Sequence, residues 1–94
     1  MANILIRTKP ETVEHKIEES VESGCICWWT LSVLPTKEVK KVLFTDGKTV
    51  FAEGEYYGKA EDEEGRPCIE FSPLKRVNYP QPKQAPTRGF TYVD

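Results

Sequence analysis

VLFTDGKTVFAEGE, residues 42–55, decides the fold. Two apolar runs flank Asp46-Gly47, and both of those residue types tolerate the positive φ that a tight hairpin turn demands. The reading is therefore strand (39–45), turn, strand (49–58), paired antiparallel. Gly54 inside the second run marks a bulge or a sharp bend, the device a strongly curved sheet uses to turn a corner.

Upstream, NILIR (3–7) alternates around Ile4 and Ile6 as a short strand. Thr8 and Glu11 then have capping-box spacing, and Pro10 suits a first helical turn. Val13, Ile17 and Val21 recur every fourth residue, with Glu14, Glu18 and Glu22 in the neighbouring row, ahead of Gly24. That pattern predicts an amphipathic helix with a narrow apolar stripe, closed by a glycine cap. Such a helix lies against a sheet and is not buried all round.

Next comes CICWWTLSV (25–33), a strand ended by Pro35. Side chains alternate between the faces of a strand, so Trp28 and Trp29 must point opposite ways. Parity groups Trp28 with Thr30 and Ser32, and places Cys25, Cys27 and Trp29 on the other face, toward the core. Downstream, Glu61–Gly65 is a charged turn and PCIEFS (67–72) a strand. The stretch 73–86 contains Pro73, Pro80, Pro82 and Pro86, which argue against regular ladder pairing. RGFTYV (88–93) is the last strand.

With 94 residues the chain is one domain, 1–94. The fold class expected is α+β: a small, mostly antiparallel β-barrel of about six strands with one N-terminal helix packed at its side. A flat open sheet is the alternative. No apolar run approaches the roughly 18 residues needed to span a bilayer, and the start, MANILIRTKPET, does not read as a secretory signal. Three cysteines cannot close a disulfide framework, which agrees with a cytoplasmic protein. A zinc site from Cys25, Cys27, Cys68 and His15 lacks the paired spacing of structural zinc sites, so neither metal nor cofactor is expected.

The net charge of −2 excludes a strongly basic nucleic-acid binder, but the charge is unevenly spread. Residues 51–65 hold six acids against Lys59, whereas 66–94 hold five bases against two acids. A basic face is thus compatible with an acidic chain. For catalysis little is present: His15 sits off the apolar stripe of the helix, and neither a nucleophile elbow nor a phosphate loop occurs.

The order of parts resembles the PUA-like barrel superfamily, especially its ASCH and EVE-type branches. The resemblance rests on GCICWWTLS after the helix, the hairpin with its A-E-G-E phrase, I-E-F-S-P-L, and the final R-G-F-T-Y-V. It implies binding of RNA or a nucleotide-like ligand, with a base held in an aromatic pocket between barrel and helix. Some ASCH proteins hydrolyse acylated nucleosides with a lysine in a G-x-K-x-x-[ET] motif. Ile26 stands where that lysine would be, so the resemblance implies binding without catalysis. Carried over, it puts Trp28, Thr30 and Ser32 at the cleft, with Lys75, Arg76 and Arg88 contacting phosphates, which position a nucleic acid without specifying its sequence. The other class of function is a protein–protein interaction module, with Trp28 and the basic C-terminal strand meeting a partner chain.

Overall fold

The hairpin forms, by a different turn than expected. A computed structural model describes residues 2–23 (19–23 as backbone only), 27–31, 33–87 and 89–93. Strands β3 (Val39–Thr45) and β4 (Thr49–Glu61) pair antiparallel across the 46–48 turn. Only Gly47 takes a positive φ, 106°, and Asp46 does not. Instead the Asp46 carboxylate accepts the backbone N–H groups of Lys48 and Thr49 at 2.8 and 2.9 Å. Those bonds hold the carboxyl below its ordinary value. Thr45, fully buried, ties the turn down: its hydroxyl accepts Gly47 N–H at 3.1 Å and lies 3.0 Å from Thr49 O and 2.9 Å from Gln81 Oε1.

β1 (Ala2–Arg7) runs parallel to β3, and β7 (Phe90–Val93) closes antiparallel on its other side. A parallel neighbour requires a long crossover, and α1 (Pro10–Ser23) with β2 (Cys27–Thr30) supplies it. Proline is the first residue of α1, where its missing N–H costs nothing. β2 pairs with β5 (Pro67–Phe71), β5 with the second half of β4, and β6 (Lys75–Pro80) with the first half of β4.

Among the described residues the sheet has seven strands in the order β2-β5-β4-β3-β1-β7, with β6 beside β4. The path is open: β2 and β7 end it and do not pair with each other, so the expected barrel does not close. The small α+β fold with one helix stands; the barrel is corrected to an open, bent sheet. The seventh strand, β6, falls in the proline-marked stretch read as unable to pair. Pro73 precedes it and Pro80 is its last residue, and the strand uses only one of its edges, where prolines at the ends are tolerated.

β5 and β6 are successive partners along one edge of β4, joined by a jog at Ser72-Pro73-Leu74. The ladder survives the jog: Ser72 N–H donates to Glu55 O at 2.9 Å, and the Ser72 hydroxyl accepts Glu55 N–H at 2.8 Å. Gly54 lies under the crossing. A Cβ there would sit 3.0 Å from Ser72 O and 3.1 Å from a Leu74 methyl, so close approach rather than positive φ requires the glycine.

Two apolar clusters flank the sheet, because β1 and β3 alternate. Ile4, Ile6, Val42 and Phe44 face the helix, whose Val13 and Ile17 are buried against them with Phe71 and Leu74. Leu5, Leu43, Val50 and Val93 face the other way and are covered by Ala85 and the half-buried Tyr79. The Val21 side chain and the Gly24 cap, expected to extend the stripe and close the helix, lie outside the described residues. No described helix is long and apolar enough to cross a membrane.

Candidate functional site

β2 separates the two tryptophans. Cys27 and Trp29 face the helix-side core, where the Trp29 ring meets Phe44 edge-on, centroids 5.2 Å apart, and Phe44 meets Phe71 at 5.7 Å. Trp28, on the opposite face, is 49% exposed. Register explains what surrounds it. Trp28 stands opposite Glu70 on β5, and Glu70 opposite Gly58 on β4; Thr30 stands opposite Cys68, and Cys68 opposite Ala60. Directly opposed residues bring their Cβ atoms to about 5 Å, so these side chains share one outer face.

A groove of about 390 Å³ opens on that face. Trp28, Ala60, Glu61, Cys68 and Glu70 line it from the strands, and Asp62, Glu63, Glu64 and Arg66 from the β4–β5 turn. Five carboxylates against one guanidinium give the lining a formal charge of −4. Asp62 is committed to the turn: it accepts the N–H groups of Glu64 and Arg66 at 2.9 Å each and the Arg66 Nε–H at 2.7 Å, and these bonds hold its carboxyl below the ordinary value. Arg66 also approaches Glu64 at 3.5 Å. Glu61, Glu63 and Glu70 have no ion-pair partner among the described residues. Burial, reinforced by Asp62, Glu70 and Glu61, pushes the Cys68 thiol up, so at neutral pH it is a protonated thiol and a poor nucleophile.

The helix divides this face from the predicted basic residues. At 100° per residue, Glu14 and Lys16 project from opposite flanks of a helix whose buried edge is Val13 and Ile17. Glu14 holds Arg76 of β6 in a two-pronged ion pair, Nη1 to Oε2 at 3.0 Å and Nη2 to Oε1. The pairing lowers the Glu14 carboxyl and raises the Arg76 guanidinium. Lys16, on the other flank, places its Nζ 4.6 Å from the Trp28 ring centroid. Trp28 and Arg76 therefore lie on opposite sides of α1.

Of the residues expected at a cleft, the structure brings Trp28 and Thr30 to one face, both exposed. It does not bring Lys75 or Arg76 to them: Arg76 is paired with Glu14, and Lys75 borders a separate recess of about 140 Å³ with Lys41, Glu53 and Ser72. In that recess Lys41 Nζ meets Glu53 at 3.0 Å, and the pairing raises the lysine. Ser32 and Arg88 lie outside the described residues, as do Cys25 and Ile26. Sequence reasoning took Glu61–Gly65 as a charged turn and gave Glu70 no role. The available signal was an acidic run placed just before an alternating strand, but only the register shows that the strand lies beside Trp28.

His15 is exposed on the helix and lines neither recess. No protein-family model, curated protein or solved structure matches this chain.

Proposed function

We propose that this protein is a non-catalytic interaction module that takes a cationic segment of a partner protein, a lysine- or arginine-bearing stretch, in the groove beside Trp28. One observation carries this reading: a half-exposed tryptophan walls a groove whose lining is formally −4. Lined clefts of one sign concentrate ions of the other. An indole face adds an attraction for an ammonium or guanidinium of about 0.5–1 kcal/mol at exposed sites. The groove, at about 390 Å³, has the size of a pocket for one or two long side chains rather than for a folded domain.

A second reading keeps the expectation drawn from sequence, an RNA or nucleotide-like ligand with a base stacked on Trp28. Its support is the exposed indole with the Thr30 hydroxyl on the same face. Base stacking contributes about 1–3 kcal/mol per base. Against it stand the carboxylates, which repel a phosphate backbone, and the engagement of Arg76 with Glu14. A PUA-like kinship belongs with this second reading and rests on the order of elements.

Calorimetric titration with hexalysine and with a six-nucleotide single-stranded RNA, at two salt concentrations, separates the readings. Saturable peptide binding that weakens with salt and is lost in Trp28→Ala supports the cation reading. RNA binding without peptide binding transfers the site to the second reading. If neither ligand binds, Trp28 is a surface residue without this role.

A further inference from the structure

We infer that Lys16 is a built-in occupant of the Trp28 ring, and that a ligand's cation must displace it, so that the helix sets the threshold for binding. The inference rests on the reading of the Trp28 groove as a cation site and concerns how that site is regulated.

The Lys16 ammonium lies 4.6 Å from the indole centroid, within the roughly 6 Å over which a ring face attracts a cation. This is its only polar partner among the described residues. Among the described residues it forms no ion pair although five carboxylates line the neighbouring groove, and it is not itself part of that lining. The ring thus already holds the kind of group that the groove is charged to attract.

The tether makes the arrangement specific. Ile17, the next residue, is 1% exposed and anchors the helix in the core, while Glu14 pins the opposite flank to Arg76. The helix is held from rolling, so the ammonium leaves the ring by rotation about its own side-chain bonds. An exposed lysine does so readily, because its four-carbon stem is flexible. The incoming ammonium or guanidinium then takes the ring while Glu70 and the turn carboxylates bind the rest of the segment. Lys16 competes with the partner without closing the groove.

The test measures hexalysine affinity by calorimetry for the wild type and three variants. Lys16→Met is expected to bind about two- to fivefold more tightly, the factor corresponding to one exposed cation–ring contact. Lys16→Arg, which keeps a stacking cation, is expected to bind no more tightly than wild type. Lys9→Met removes the same charge just ahead of the same helix and is expected to leave the affinity unchanged. Equal tightening in Lys16→Met and Lys9→Met would mean that bulk charge is responsible and would overturn the inference. Wild-type binding with unchanged or weaker affinity in Lys16→Met would also overturn it while leaving the groove as the site. An absence of binding in both wild type and Lys16→Met would remove the groove reading, and the inference with it.

Discussion

The two halves of β4 lie in contrasting surroundings within one sheet. Its first half, beside β3 and β6, lies between two apolar clusters, one under the helix and one under Ala85. Its second half, beside β5 and then β2, has a core on one face only and carries the acidic groove on the other. The first half is where the buried apolar residues of the strand and its most constrained glycine lie; the second leads into the turn and β5, where Asp62, Glu63, Glu64 and Glu70 gather. The two-sided core and the acidic groove thereby occupy different stretches of one strand, and the two tryptophans of β2 repeat the division in adjacent residues.

The sharpest way to break this comparison is in the core. Phe44→Ala removes the ring that contacts both Trp29 and Phe71 and should cost about 3–5 kcal/mol in denaturant unfolding. Gly54→Val forces a side chain against Ser72 O and Leu74 where β4 passes from β6 to β5, and should cost about 1–3 kcal/mol. Thr45→Val leaves Gly47 N–H and Gln81 without their shared hydroxyl, for about 1–2 kcal/mol in the same assay.

Smaller effects belong to the groove half. The Asp62 carboxyl is held below its ordinary value of 3.8, so its contribution is complete above that value and is lost as the pH falls through the lowered one. Asp62→Asn should therefore flatten the fall in stability below about pH 4, read by acid titration of the circular dichroism signal. Trp28→Ala should change folding stability by no more than about 0.5 kcal/mol, as surface substitutions do. A loss comparable to that of Phe44→Ala would place Trp28 in the core and dissolve the contrast.

Periodicity made much of the frame legible. The alternation at 3–7, the 13–17 spacing and the apolar runs about Asp46-Gly47 all became elements where expected, and parity alone divided Trp28 from Trp29. Strand order was hidden because it depends on non-local pairing: nothing local in Pro67–Phe71 says that β2 will lie beside it. The same gap explains the groove. Glu70 and Trp28 are 42 residues apart and become neighbours only through the β2–β5 register. The pairing of Arg76 with Glu14 was hidden for a related reason, since a helix flank meets a strand only after the crossover is made. β6 was missed because prolines were weighed by number rather than by position at the strand ends.

The most direct test of the division between the tryptophans is collisional quenching of their fluorescence by caesium and by iodide, in wild type and Trp28→Phe. The acidic groove predicts stronger quenching by the cation than by the anion in wild type, and markedly weaker quenching of the partly buried Trp29 that remains in the variant. Equal or reversed quenching, or a Trp29 quenched as readily as Trp28, would contradict an exposed Trp28 on an acidic face beside a core-packed neighbour.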